Sequence, residues 1–315
     1  VTTVRSTEKA DKIKGLFPST PKSKLDFAIV EDVAKEDAFD EAIKSDPPFE
    51  AVIHTASPFH FNVTDVQKEL LDPAVIGTTG VLQSIKKSAP TVKQVVITSS
   101  FASILDPKKG LNPGYVYSEK DWNPMTHEEA LKDPSSGYRA SKTFAEKAAW
   151  DFVEKEKPNF TLTTMCPPLV LGPIIPSLQS LSSLNTSNQR ILKIINGDSK
   201  EKLPPTGTYL WVDVRDLALA HVKAIELPAA ANKRFFVTAG HFTNEEIMED
   251  ARTAFPSLKD KLPAKGTPGG GNPEGGLASI YKYDNSRVIE VLRITFRTLS
   301  ETVTDAVNSL LEAGA

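Results

Sequence analysis

Tyr138 and Lys142 stand four residues apart in Tyr138-Arg139-Ala140-Ser141-Lys142, heading a stretch that runs on through Phe144, Ala145, Ala148, Ala149, Trp150 and Val153. Residues four apart on a helix share a face, so this phenol and this ammonium would point at one place. A nearby ammonium favours the phenolate and lowers a tyrosine pKa from its ordinary value of about 10. The pair could then donate a proton to a carbonyl oxygen while hydride reaches the carbon. In a chain with 6 tyrosines such a spacing arises by chance, so the pair needs a third group. Gln94 to Thr98 reads as a strand that delivers Ser99 and Ser100 beyond its end. Ser100 could bond the carbonyl oxygen and orient it, with Ser99 as the adjacent competitor, and Lys142 could also hold ribose hydroxyls.

The elements that must position these groups follow from the apolar pattern. Strands are predicted near 1–4, 25–30, 51–54, 94–98 and 160–165. Helices are predicted over 5–17, 37–45, 64–89 with a bend at Pro73, and from Tyr138 onward. This alternation predicts an α/β protein with a Rossmann-type doubly wound parallel sheet. Such sheets bind ligands beyond the carboxyl ends of their strands, where Ser57, Ser99 and Ser100 fall. After Cys166 the character changes. A stiff proline loop reaches Pro173, and a polar stretch from Ser177 to Asn188 leads into a helix ending at Ile195. A strand and helix follow over 209–226, then a strand over 234–237, a helix over 244–254 and an amphipathic helix over 298–312. The glycines of 263–276 have no strand before them and no helix directly after, so they read as a surface loop and not a phosphate cradle. The expected domains are a dinucleotide-binding domain at 1–165, with 208–238 returning to it, and a smaller C-terminal substrate lobe at 166–207 and 239–315.

Composition bounds the function. The chain has 315 residues, 40% hydrophobic and 24% charged, with a net charge of −3. That balance argues against nucleic acid or an anionic membrane as partner. No apolar run approaches the roughly 20 residues that span a bilayer, and no signal peptide is apparent. The single cysteine, Cys166, cannot form an intrachain disulfide, which fits a reducing compartment and a cytoplasmic protein. The histidines show no metal-ligand spacing, so no metal is expected. Asp213-Val214-Arg215-Asp216 reads as a salt-bridged helix start. The expected assembly is a monomer or weak homodimer.

Val96-Ile97-Thr98-Ser99-Ser100, Tyr138-x-x-x-Lys142 and the Pro167–Pro173 loop together resemble the extended short-chain dehydrogenases/reductases. Within them the chain is most similar to the dihydroflavonol-reductase-like branch, and there to fungal NADPH-dependent methylglyoxal and carbonyl (aldehyde) reductases. Supporting words include His54-Thr55-Ala56-Ser57-Pro58-Phe59, Trp122-Asn123-Pro124, Phe144-Ala145-Glu146-Lys147-Ala148-Ala149-Trp150 and Leu184-Asn185-Thr186-Ser187, and they span nearly the whole chain. The resemblance implies a catalytic set of Ser100, Tyr138 and Lys142. It places Pro167 and Val170 against the nicotinamide, Ser187 near the diphosphate, Ala56 and Ser57 at the ribose, and Asp32 and Val33 at the adenine. It also implies a small-molecule carbonyl substrate, in a pocket lined by Phe59, Phe101 and Pro168 to Val170, with Asn185 and Thr186 nearby.

An acidic residue after the second strand of such a fold binds the ribose of NAD, whereas an arginine accommodates the phosphate of NADP. Here the strand ends in Arg5-Ser6, with Lys9 one helical turn on, so NADP(H) is the expected cofactor. The family opens with a strand, a glycine-rich phosphate turn and a helix. This sequence opens on what reads as the second strand, and about thirty residues, judged from the size of a βαβ unit, are expected ahead of Val1. Cys166 departs from relatives that often carry Asn there. Two other readings stay open. One is a nucleotide-sugar epimerase or dehydratase, or a hydroxysteroid-type dehydrogenase, on the same fold. The other is a non-catalytic dinucleotide-binding protein.

Overall fold

The computed structural model describes residues 1–57, 63–175, 181 and 184–315. Two compact units divide the chain. The first comprises Val1–Gly110, Tyr117–Cys166 and His221–Phe236; the second comprises Leu111–Val116, Pro167–Ala220 and Val237–Ala315.

In the first unit the strands are parallel, as the alternation with helices requires. Ala51–His54, Gln94–Thr98, Thr161–Met165 and Lys233–Phe235 form a four-stranded sheet in that order. Thr2–Val4 pairs in parallel with Phe27–Ile29. Helix Asp72–Ser88 turns Val81, Leu82 and Ile85 inward, the spacing of one helical face. They pack with Val95 and Ile97 of the central strand and with Phe160 and Leu162. Leu82 and Ile85 are fully buried, and each such side chain contributes about 1.5–3 kcal/mol. A π-helical turn over Gln67–Leu71 runs directly into this helix, so the long helical run expected across Pro73 is present, and its winding changes from π to α just before that proline. The helix predicted over 37–45 is a series of turns instead. Asp37 sits in the left-handed region at φ 56°, and Phe39 and Ile43 are anchored in the core, so tertiary contacts override the local pattern. A cavity of about 430 Å³ runs along Thr2 and Thr3 on one side and Val52, Ile53 and His54 on another.

In the second unit Leu169–Leu171 runs parallel to Leu210–Asp213, which pairs antiparallel with Gly240–His241. That pairing draws Leu210–Asp213 into the second unit, so the expected return of 208–238 to the first unit begins only at His221. The core gathers Ile191, Ile194, Trp211, Phe242, Ile247, Val303 and Val307. The helix predicted to close the chain spans Leu299–Glu312, with Thr298 and Glu301 forming a capping box. The glycines of 263–276 are not all in a loose surface loop. Gly270 is buried, its carbonyl accepts from Thr206 Oγ1 at 2.7 Å, and a Cβ on Gly269 would meet the Leu203 carbonyl at 2.4 Å. Both have positive φ, so glycine is required there.

Candidate active site

Tyr138 and Lys142 ride on one long helix, Pro134–Glu156. Asp133 starts it by accepting from the backbone N–H of Ser135 and Ser136, and Pro134 occupies its first turn. Lys157, left-handed at φ 40°, ends it. Its buried side includes Gly137, Ala140, Ser141 and Ala145, and the small residues let it lie close to its neighbours. A Cβ on Gly137 would stand 2.4 Å from Val66.

Ser100 lies just past the strand Gln94–Thr98 in extended backbone, and its Oγ caps the tight turn Phe101–Ser103 by accepting from Ala102 N–H at 3.1 Å. The Tyr138 phenol is hydrogen-bonded to Ser100. Ser99 is not equivalent. Its side chain is buried, and its hydroxyl donates to Glu146 Oε2 at 2.5 Å. Lys142 Nζ lies 5.7 Å from the Tyr138 ring centroid and donates to Ser57 Oγ at 2.6 Å. Ser57, Ser100, Tyr138 and Lys142 are therefore brought together.

The electrostatics differ from the expectation that the lysine lowers the phenol. Burial raises the Tyr138 pKa, and the Ser100 hydrogen bond opposes it in part. Lys142 spends its hydrogen bond on Ser57, and burial pulls its own pKa down to about 8. At neutral pH the site thus holds a neutral phenol beside an ammonium that is mostly protonated. His54, at the end of the strand Ala51–His54, is 6% exposed, and its Nε2 has no hydrogen-bond partner among the described residues. Burial, and then the charge of Lys142, bring its pKa down to about 4, so it is neutral too.

The other expected residues fall in several places. Arg5 and Lys9 are exposed at the start of helix Thr7–Leu16, where Ser6 Oγ accepts from Lys9 N–H at 3.3 Å. Among the described residues no acidic side chain forms a salt bridge with either. Asp32 is exposed and accepts from Ala34 N–H, and Val33 packs beside Gly77 of helix Asp72–Ser88. Ala56 is exposed. Phe101, expected to line the substrate pocket, is 3% exposed, stacked on Phe236 at 5.0 Å and edge-on to Tyr117. The tight turn after Ser100 sends that ring into the core. Phe59 lies outside the described residues. Pro167, Pro168 and Val170 belong to the second unit, with Val170 paired to Val212, and so does Ser187 in the first turn of helix Thr186–Ile195.

Sequence reasoning missed the groups behind the serine turn. Glu146, two helical turns beyond Tyr138, is buried and ion-paired to Arg234 at 2.7 Å. Thr164 Oγ1 donates to it at 2.7 Å and Ser103 Oγ at 2.6 Å. The Arg234 guanidinium stacks 3.6 Å over the Trp122 ring and donates to the carbonyls of Glu119 and Asp121. Asn123 Nδ2 donates to the Ala102 carbonyl at 2.9 Å. Cys166 lies against this cluster as a neutral thiol, its pKa pushed up to about 12 by burial and by the Glu146 charge. The Trp122-Asn123-Pro124 word and the word from Phe144 to Trp150, which contains Glu146, were the available signals.

A parallel α/β sheet with Ser, Tyr and Lys gathered past its strand ends defines a Rossmann-type protein with an acid–base site. The pattern of the NAD dependent epimerase/dehydratase family matches residues 3–239, and the chain belongs to that family. It is 47% identical to a ketoreductase, azaE, of Aspergillus niger, over 99% of this chain and 90% of that protein. It is 41% identical to a putative NADPH-dependent methylglyoxal reductase, GRP2, of Candida albicans, over 99% and 91%. The structure of Gre2 in complex with NADPH, also from Candida albicans, superposes with a TM-score of 0.90 at 38% identity, over 99% of this chain and 91% of that one.

Proposed function

We propose that this protein is an NADPH-dependent reductase of small aldehydes, ketones or dicarbonyls, with methylglyoxal as the type of substrate. The observation that carries this reading is the phenol of Tyr138 hydrogen-bonded to Ser100, with the Lys142 ammonium one helical turn away. The relatives support it, being a ketoreductase and a putative NADPH-dependent methylglyoxal reductase. The residues fit a phosphorylated dinucleotide. Arg5 and Lys9 are exposed cations without a carboxylate salt-bridge partner among the described residues, set at a helix start where an anion is favoured. When bound, the nicotinamide supplies the hydride.

The chain's own groups do the rest. Ser100 donates to the substrate oxygen and aligns it. Tyr138, kept protonated by burial, passes its proton to that oxygen as it gains charge. Lys142, with Ser57, binds ribose hydroxyls; this role weakens as the pH rises through about 8 and the ammonium loses its proton. Pro167, Val170, Ser187, Ala56, Asp32 and Val33 are proposed as further cofactor contacts, with Pro168 at the substrate. The lone buried thiol of Cys166 suits a reducing compartment, which supports a cytoplasmic protein.

Tyr138→Phe tests the reading. NADPH binding should be retained, with NADH weaker in a parallel titration, while reduction of methylglyoxal falls by about 10²–10⁴-fold, the range for loss of a general acid. Turnover near the wild-type rate in this variant would overturn the role.

A further inference from the structure

The Pro134–Glu156 helix presents Tyr138, Lys142 and Glu146 at successive four-residue steps, and the third has a side chain only 1% exposed. Burial pushes the Glu146 carboxyl up, but the charge of Arg234 and the bonds from Arg234, Ser103 and Ser99 outweigh it and leave the group ionised. A buried ion pair of this kind is weak evidence for stability, because desolvation offsets the attraction. Its donors suggest another purpose. Ser99 and Ser103 flank Ser100, and both reach the same oxygen, Glu146 Oε2, at 2.5 and 2.6 Å. The Ser103 hydroxyl also lies 2.7 Å from the carbonyl of Ser100 itself. One carboxylate thus grips the serine turn on both sides of the residue that bonds the phenol.

We propose that Glu146, held by Arg234 and acting through Ser99 and Ser103, is a positioning residue that fixes Ser100 against Tyr138 for proton transfer. This rests on the reductase reading above. A carboxylate is an acceptor only, so the Ser99 and Ser103 hydroxyls can bond Glu146 only as donors, and the Ser103 hydroxyl has the carboxylate on one side and the Ser100 carbonyl on the other. Arg234 supplies the compensating charge from the far edge of the sheet, where Lys233–Phe235 pairs with Thr161–Met165. Its remaining donors hold the Glu119–Asp121 backbone, and Asn123 braces the same turn through Ala102.

Two variants separate positioning from general support. Ser103→Ala and Thr164→Val each remove one hydroxyl donor from Glu146, but only Ser103 touches the serine turn. Ser103→Ala should lower kcat for methylglyoxal by about 10–100-fold, the scale of a misplacement near 1 Å, with KM and NADPH affinity unchanged. Ser103→Thr, which keeps the hydroxyl, should restore kcat, and Thr164→Val should keep it at the wild-type value. A second readout needs no turnover. The Tyr138 phenol, titrated by ultraviolet difference against Tyr138→Phe, should move to higher pH in Ser103→Ala, because the opposing Ser100 bond is loosened, and stay in place in Thr164→Val. Unchanged kcat and phenol titration in Ser103→Ala would overturn the proposal, as would an equal loss of kcat in Thr164→Val. A wild-type protein without reductase activity would remove the reductase reading instead, and the phenol titration would still decide whether Glu146 positions Ser100.

Discussion

Glu146 in the first unit and Asp213 in the second are both buried carboxylates held by an arginine, yet their surroundings differ. The side chains of Glu146 and Arg234 are 1% and 8% exposed, and two of the donors to Glu146, Ser99 and Ser103, belong to the turn that carries Ser100. Asp213 is paired to Arg215, which is 33% exposed and passes on to Asp305, itself 44% exposed. Asp213 caps its own segment through Arg215 N–H and receives Thr302 Oγ1 from the last helix, while the neighbouring buried Asp216 is held by Arg297. The second arrangement ties a helix start to the C-terminal segment and has no chemistry beside it. The first is sealed where the proton must move. The carboxylates are equally buried; the arginine is sealed with its partner beside Ser100, whereas Arg215 and Arg297 stay 33% and 39% exposed where the pair only fastens chain to chain.

The largest expected effect breaks the first arrangement outright. Glu146→Ala leaves Arg234 buried without its counter-ion, and removing one partner of a buried pair costs about 3–5 kcal/mol. Urea unfolding should show that loss. A midpoint near the wild-type value would mean that water reaches Arg234, and the contrast with Asp213 would collapse.

The next effect is confined to acid and again belongs to the first unit. His54 has a pKa of about 4 in the fold and about 6.5 when unfolded, so the unfolded chain binds its proton first. Stability from this site is full above pH 6.5 and is lost as the pH falls from 6.5 toward 4, by up to about 3 kcal/mol for the whole interval. His54→Leu should flatten the fall in urea midpoint across that window. An unaltered acid profile in the variant would show that His54 is not the group being titrated.

What could be read from the sequence follows the same division. Tyr138, Lys142 and Ser100 were legible because helical spacing and a strand end are local patterns, and the parallel sheet was legible because its strands alternate with helices. Glu146 was legible only as part of the family word from Phe144 to Trp150, with no role attached, since its partner Arg234 lies 88 positions away. Phe101 read as pocket because the residue after Ser100 is close in sequence, whereas the turn directs its ring onto Phe236. The 37–45 segment read as helix because its apolar spacing is helical, and its left-handed Asp37 leaves no sequence signature of comparable strength. Gly269 and Gly270 read as loop because their constraint is the approach of Leu203, which only the fold creates.

The smallest effect sharpens the comparison from the other side. Asp305→Asn removes the outer, half-exposed carboxylate from Arg215 and leaves the pair with Asp213 intact. Exposed ion pairs are worth about 0–1 kcal/mol, because water already solvates both partners and salt screens them. The urea midpoint should therefore fall only slightly, the difference should shrink as salt is added, and methylglyoxal reduction should be untouched. A loss comparable to that of Glu146→Ala would mean that Asp305 is held as tightly as Glu146. The depth at which a charge is buried would then no longer distinguish the pair that positions Ser100 from the pair that anchors the last helix.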